Sequence, residues 1–361
     1  MKIVMLITGL GMGGAERQVC DLADQFADKG HQVLLISMTG ETVNRPQSTA
    51  IDIVELHMTK TPMGFIKAYC QTRRFIKQFE PDVVHSHMVH ANLLARLLRL
   101  TTRIKKLICT AHNTREGGFW RMLAYRFTDG LSDLSTNVSQ EAVDAFIAQG
   151  AVPAKRMVAI SNGIDTERFT FNSISRVNFR TILKLTDNNL LILAVGRFNT
   201  QKDYPNLLTA FSQLPSELSH AQLAIIGTGE EQANIEELAA QLGLTSRMHF
   251  LGLKRNVHDW MSAADIFVLS SAWEGFGLVV AEAMACERIV VATDCGGVKE
   301  VVGDCGILVP PKNSKALADA LTQALGLTSE QAQVRGRLAR QRIVERYSLS
   351  VQAERWLAYY Q

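Results

Sequence analysis

At 361 residues, with 47% hydrophobic and 20% charged side chains, the chain carries enough apolar material for two globular domains and does not have the composition of a disordered or fibrous protein. Its net charge of +3 hides an asymmetry: thirteen Lys and Arg against three acids give the stretch from Lys60 to Phe127 a balance of +10 and leave −7 for the rest, so an anionic partner on one face is expected. Six cysteines without C-x-x-C spacing argue against a zinc frame or a disulfide scaffold, and no apolar run reaches the ~18 residues of a membrane span, so a reducing, cytoplasmic setting is expected.

The run from Lys2 to Thr8 reads as a first strand; it is too short for a signal-peptide core and leads into glycines and Glu16. Gly9-Leu10-Gly11-Met12-Gly13-Gly14 follows, then an amphipathic helix from Ala15 to Lys29 closed by Gly30. Gly9, Gly11 and Gly14 match the G-x-G-x-x-G pattern. A nicotinamide site also needs an acid at the end of the next strand, to hold the ribose. That strand, Gln32 to Met38, runs out through Ser37-Met38-Thr39 instead. What the loop retains is close backbone approach to a phosphate.

Strand and helix patterns then alternate: strand Ile51 to Leu56, helix Gly64 to Phe79, strand Asp82 to His85, helix Ala91 to Leu100, strand Lys106 to Ala111. Alternation of this kind predicts a parallel sheet covered on both faces, with ligands at the carboxyl ends of its strands. His85, His87 and His90 are expected at one such end, and His112 and Asn113 at another. The His-x-His-x-x-His run invites a metal reading, but no acid or cysteine nearby completes a ligand set. Helix capping, acceptor contact and packing stay open for it. His112 is the first candidate for polar chemistry in this half, a satisfied loop histidine being the alternative. In Gly117 to Phe127 a helix would put Phe119, Met122, Leu123 and Phe127 on one face. It is either an ordinary core helix or an interfacial membrane contact, the latter favoured by Arg96, Arg99, Arg103, Lys105 and Lys106. No nucleic-acid-binding motif accompanies these charges.

After a strand from Met157 to Ile160, Asn162-Gly163-Ile164-Asp165 is a turn signal, and the polar, weakly patterned segment 166–189 is where a domain junction is expected. A second doubly wound unit begins with the strand Leu190 to Val195. Its strand-end loop holds two cations, Arg197 and Lys202, where an anion should bind; solvated surface cations are the alternative. Further strands are expected at Gln222 to Ile226, Met248 to Leu251, Ile266 to Leu269 and Ile289 to Ala292. After Ile266 to Leu269 come two serines, Trp273, Glu274, Gly275 and Gly277, then an apolar helix from Leu278 to Ala285 that contains Glu282. A strand, a glycine loop and a helix N-terminus make an anion site, here flanked by two carboxylates. A ligand with both phosphates and hydroxyls, such as a nucleotide sugar, suits it. The tail from Ala316 to Tyr360 reads as one long helix whose only break signals are Gly326 and Gly336.

The chain resembles family four of the glycosyltransferases, retaining enzymes of the GT-B fold. The resemblance rests on Gly13-Gly14-Ala15-Glu16-Arg17, on Val195-Gly196-Arg197 with Lys202, on Glu274 and Glu282 with seven residues between them, and on Asn162-Gly163-Ile164-Asp165. It implies an α/β architecture of two Rossmann-like doubly wound domains facing a central cleft. The acceptor-binding domain would span 1–168, with a C-terminal helix at about 347–361 packed back on it, and the donor-binding domain 169–346. The implied activity is metal-independent and needs no cofactor. It transfers a hexosyl or N-acetylhexosaminyl group, with retention, from a nucleotide sugar, UDP foremost, to a lipid-linked or glycan acceptor. The setting would be cell-surface polysaccharide, lipopolysaccharide or glycolipid synthesis, on the inner face of an anionic cytoplasmic membrane.

The resemblance also implies roles. Arg197 and Lys202 would neutralise the diphosphate, Glu282 would bind the ribose, and Glu274 would sit near the transferred sugar. The N–H groups of Phe276, Gly277 and Leu278 would hold sugar hydroxyls or phosphate. Gly196 and Gly227 would lie on the donor side, and Leu253 and Arg255 by the base. Gly13 and Gly14 would let the backbone approach the phosphates across the cleft. His112 would join Arg197, Lys202 and Glu274 as a catalytic residue, and with His85, His87 and Asn113 would face the acceptor. A donor-binding protein without turnover, or a nucleotide-sugar epimerase of similar architecture, are the alternatives.

Overall fold

Apolar residues run without a break through Ile3–Ile7, the mark of a strand buried on both faces. The computed structural model, which describes residues 1–114 and 116–361, bears this out. Arg115, one of the thirteen cations counted above, lies outside the described residues. The chain divides into two units, Met1–Gly163 with Leu349–Gln361, and Ile164–Ser348.

In unit 1, strands β1 (Lys2–Gly9), β2 (Gln32–Thr39), β3 (Asp52–Glu55), β4 (Val83–His87), β5 (Lys106–Thr110), β6 (Leu134–Asn137) and β7 (Met157–Ala159) form one parallel sheet. Their order is β3-β2-β1-β4-β5-β6-β7. The connecting helices are α1 (Gly14–Asp28), α2 (Pro62–Phe79), α3 (Val89–Leu98), α4 (Phe119–Thr128) and α5 (Gln140–Ala148). Successive side chains of β1 leave the sheet on opposite faces. Ile3, Met5 and Ile7 meet Val19 and Phe26 of α1. Val4 and Leu6 join the core formed by Ala68 and Ile76 of α2 and Leu94 and Leu98 of α3.

Unit 2 begins with α6 (Ser173–Ile182). Strands β8 (Leu190–Val195), β9 (Ala221–Ile226), β10 (Met248–Gly252), β11 (Ile266–Leu269), β12 (Ile289–Thr293) and β13 (Ile307–Val309) follow in the spatial order β10-β9-β8-β11-β12-β13, again all parallel. Helices α7 (Tyr204–Ser212), α8 (Gln232–Gln241), α9 (Val257–Ala263), α10 (Leu278–Ala285), α11 (Val298–Val302), α12 (Ser314–Leu325) and α13 (Ser329–Tyr347) complete it. The last helix, α14 (Leu349–Tyr360), belongs to unit 1, where Ala353, Trp356 and Tyr360 close the core beneath β1 and α1.

Three sequence expectations need correction. The tail is three helices, not one. The chain leaves the helical path after α12, and Thr328 then starts α13 with a capping box completed by Gln331. Gly336, expected as a break, lies inside α13, where a Cβ would fall 2.3 Å from the carbonyl oxygen of Glu287. Residues 166–189 are not only a linker, because they contain α6. That helix escapes pattern reading because its polarity is inverted: Ile174, Val177 and Ile182 are exposed while Arg180 is buried. Arg176 and Arg180 bind Asp265 at 2.5 and 3.1 Å. Finally, β4 runs two residues beyond His85, and so carries both His85 and His87 into the sheet.

Candidate functional site

In unit 2 the site grows from three neighbouring strand ends. β8 delivers Gly196 and Arg197, and the following loop carries Lys202 into α7. β11 delivers Ser270, Ser271 and the Glu274 loop, and β12 delivers residues 293–297. The loops are tied together by backbone. Ala272 N–H donates to the Gln201 carbonyl at 2.8 Å, and Gly297 N–H to that of Gly275 at 3.0 Å. Thr293 Oγ1 donates to the Ser271 carbonyl at 2.7 Å.

Within this frame Glu274 is only 8% exposed. Its Oε1 accepts from Lys202 Nζ at 2.5 Å and from Ser271 Oγ at 2.7 Å. Its Oε2 lies 3.4 Å from Gln201 Nε2, which also donates to the Trp273 carbonyl at 3.1 Å. A carboxylate taken this far out of water needs such partners. The sequence motifs place Lys202 and Glu274 in one site, but give Gln201 and Ser271 no role in it. Their signal was present as polar neighbours of the two motif residues, one on each loop. Arg197 is exposed, and among the described residues no carboxylate pairs with it.

Gly277 ends the loop in the left-handed region, at φ 86°, and caps α10 without a side chain. A Cβ there would also lie 2.9 Å from Val298 Cγ2, so glycine is required on both counts. Helix α10 therefore begins at Leu278 with no side-chain cap on its first N–H groups. Phe276 is buried, its ring 5.6 Å from that of Tyr347. Glu282 sits half-buried in the next turn. Gly196 and Gly227 pack backbone against backbone, since a Cβ at Gly227 would fall 1.9 Å from the Gly196 carbonyl oxygen. Leu253 and Arg255 are both exposed in the loop after β10.

In unit 1 the strand-end histidines sort into different roles. His85, expected to contact an acceptor, is fully buried in the sheet. Its ring nitrogens meet Tyr360 Oη at 2.6 Å and Thr110 Oγ1 at 2.7 Å, so it has none left for a ligand. His87 is buried too, and meets His112: His87 Nδ1 and His112 Nε2 are 3.1 Å apart. His90 lies apart, exposed on α3. Among the described residues no group of three His, Cys, Asp or Glu could hold a metal ion. Desolvation lowers the pKa of His85 to about 3 and that of His112 to about 4, so both rings are neutral at pH 7.

The loop that carries His112 is pinned by a residue the sequence did not flag. Glu116 accepts from the His112 backbone N–H and from Tyr125 O–H, each at 2.8 Å. Asn113 is half-buried beside them, and its carbonyl accepts from Asn137 Nδ2 at 3.2 Å. Gly13 is the extended N-cap of α1 and Gly14 its first residue. The Glu16 carboxylate folds over this end, lying 2.2 Å from where a Gly13 Cβ would be.

On α4, Phe119, Trp120 and Phe127 are 70–79% exposed, while Met122 and Tyr125 face the core. The basic face is smaller than its sequence suggests. Arg96 is fully buried and bonded to Asp129 and Ser135. Arg99 pairs with Asp133, and Lys105 with Asp82. No helix among the described residues is long and apolar enough to cross a membrane.

Two family profiles match in tandem: Glycosyltransferase Family 4 over residues 12–168, and Glycosyl transferases group 1 over residues 175–342. The chain is 26% identical over 315 residues to the lipopolysaccharide core biosynthesis glycosyltransferase LpsE of Rhizobium meliloti, covering 86% of this chain and 85% of that one. It is also 26% identical over 341 residues to an N-acetylgalactosaminyltransferase of Campylobacter jejuni named for a diphospho-undecaprenol substrate, covering 90% of each. Among solved structures it is similar to Anabaena HepE in complex with UDP, with a TM-score of 0.86 over 99% of both chains at 22% identity, a likeness of fold. With its two parallel sheets and both profiles in order, the chain belongs to the family 4, group 1 glycosyltransferases of the GT-B fold.

Proposed function

We propose that the protein is a retaining glycosyltransferase that moves a hexosyl or N-acetylhexosaminyl group from a UDP-sugar to a lipid-linked or glycan acceptor in cell-surface polysaccharide or glycolipid synthesis. The observation that carries this reading is the Lys202–Glu274 pair at adjoining strand ends, beside exposed Arg197 and the uncapped start of α10. The UDP and UDP-glucose complexes of HepE support the donor, and the names of the two relatives support the acceptor class.

In this reading Arg197, Lys202 and the N–H groups of Phe276, Gly277 and Leu278 meet the diphosphate and sugar hydroxyls. Glu282 holds the ribose, Glu274 the transferred sugar, and Leu253 and Arg255 lie by the base. Gly196 and Gly227 keep the floor of the donor site free of side chains. In unit 1, Gly13 and Gly14 are assigned to the phosphates, and His112 and Asn113 to sugar and acceptor. The bond from the anomeric carbon to the diphosphate oxygen breaks as the acceptor oxygen attacks the same face. The acceptor proton passes to the departing phosphate oxygen. The transition state resembles an oxocarbenium ion, and fixed cations and backbone dipoles stabilise the leaving charge without a metal.

The test is nucleoside diphosphate release from a panel of nucleotide sugars, with and without lipid-linked acceptor and with excess EDTA. Acceptor-dependent release from a UDP-sugar, undiminished by chelator, is expected. Donor binding without release would mean a sensor, and sugar conversion without acceptor an epimerase. Loss with EDTA, restored by magnesium or manganese, would overturn the metal-free mechanism.

The same reading places unit 1 on an anionic membrane. The exposed Phe119, Trp120 and Phe127 lie on one helix with the exposed Arg121 and Arg126, a mix suited to the interface. Each cation near such a surface contributes about 1 kcal/mol. With Arg96, Arg99 and Lys105 already engaged, the aromatic residues should carry more of the binding than charge alone would suggest. Co-sedimentation with anionic liposomes should fall partly with salt and collapse when Phe119, Trp120 and Phe127 become Ser. Equal binding by that variant would remove the helix from the interface.

A further inference from the structure

We propose that His87 is a positioning residue that fixes His112 in the tautomer with hydrogen on Nδ1, making His112 a hydrogen-bond donor to a substrate oxygen and not a base. The proposal rests on the reading of His112 as a residue of the transferase site.

His87 Nδ1 and His112 Nε2 are 3.1 Å apart, so one nitrogen carries the hydrogen and the other accepts it. Both rings are neutral at pH 7. Desolvation holds His87 well below its usual pKa and His112 near 4, and charge on His85 or His112 further disfavours charge on His87. His85, tilted against His87 with ring centroids 4.0 Å apart, cannot enter the exchange because Tyr360 and Thr110 occupy both its nitrogens.

The far nitrogens decide the direction. His87 Nε2 and His112 Nδ1 are both buried without a hydrogen-bond partner. In either arrangement one of them is an unsatisfied N–H and the other an unsatisfied lone pair, and the N–H is the costlier orphan in a protein interior. His87 is 1% exposed and sits within β4, enclosed by the sheet. His112 is half-buried on a strand-end loop; its Nδ1 is covered as well, but it belongs to the residue of the two that reaches the surface, where a ligand oxygen or water can approach. The hydrogen therefore belongs on His112 Nδ1, which requires His87 Nδ1 to donate. Glu116 holds the His112 backbone N–H at 2.8 Å and is itself braced by Tyr125, so ring and backbone are fixed independently. With its Nε2 lone pair used, His112 has no basic nitrogen left for the acceptor hydroxyl, in agreement with a proton that leaves on the departing phosphate.

Long-range proton–nitrogen correlation spectra of the 15N-labelled full chain, assigned with a His112→Asn variant, report the tautomer directly. The expected result is His112 protonated at Nδ1 and bare at Nε2. His87→Leu should lower kcat about 10- to 100-fold with donor Kd unchanged, and should give a mixture of His112 tautomers. His87→Asn, whose amide can donate from near the Nδ1 position, should recover most of that loss. A wild-type His112 protonated at Nε2 would overturn the proposal. So would Leu and Asn variants with equal kcat, which would indicate packing alone. The spectra need no turnover, so absence of transferase activity would remove the functional reading while the tautomer was still decided.

Discussion

Glu274→Gln should lower kcat by about 10²- to 10³-fold and leave donor affinity unchanged or slightly tighter. The carboxylate is assigned to the reacting sugar, so its loss should be felt in the transition state more than in the bound donor. It also engages Lys202 at 2.5 Å, and its neutralisation frees that cation for phosphate. Glu282→Ala should do the reverse. Removing hydrogen bonds from a carboxylate to ribose costs ~1.5–3 kcal/mol, which appears as a raised KM with kcat nearly intact. Steady-state kinetics and titration calorimetry with the donor separate the two. A Glu274→Gln enzyme with wild-type kcat, or one whose defect lay wholly in KM, would remove Glu274 from the reacting centre.

Unit 1 should lose stability on mild acidification. A histidine in the unfolded chain takes up a proton near pH 6.5, whereas folded His85 resists it down to about 3 because burial penalises its charge. Across that window the unfolded state binds more protons, so stability falls as the pH falls, by about 1.4 kcal/mol per pH unit for this one group. His87 and His112 act in the same direction. Glu116 opposes them: burial raises its pKa, so its contribution to stability grows as the pH drops. The histidines outnumber it. Urea unfolding at pH 6.5 and pH 5 should therefore differ by at least about 2 kcal/mol. Trp356, whose ring lies 4.4 Å from that of His85, is a built-in fluorescent reporter. His85→Asn should lower stability at neutral pH and flatten the dependence. An unchanged slope in that variant would place the acid sensitivity elsewhere.

The donor-side elements were legible because each is local. The apolar run Ile266–Leu269 is β11 to the residue, and the start of α10 at Leu278 follows from Gly277. The partners of Glu274 were not legible. Gln201 and Lys202 come from more than seventy residues earlier, and only the adjacency of β8 and β11 brings them there. The histidines misled for a related reason. In sequence His85 and His87 look like polar residues past a strand end, but β4 lies between β1 and β5, and both ring nitrogens of His85 are taken, by Thr110 and by Tyr360, 275 residues away. Helix α6 was hidden because its arginines point inward to Asp265, the opposite of the polarity that pattern reading assumes.

That distant tyrosine has a consequence for biogenesis. As the polypeptide leaves the ribosome, the first 163 residues emerge with their sheet in hand but without Trp356 and Tyr360, which cover His85 and Phe26. All of Ile164–Ser348 must be synthesised before α14 appears. Until then one face of the nascent sheet exposes apolar surface, and two ring nitrogens of a central strand lack one of their partners. The N-terminal half is thus the first made and the last finished, a long-range closure that slows folding and leaves the growing chain dependent on protection from aggregation.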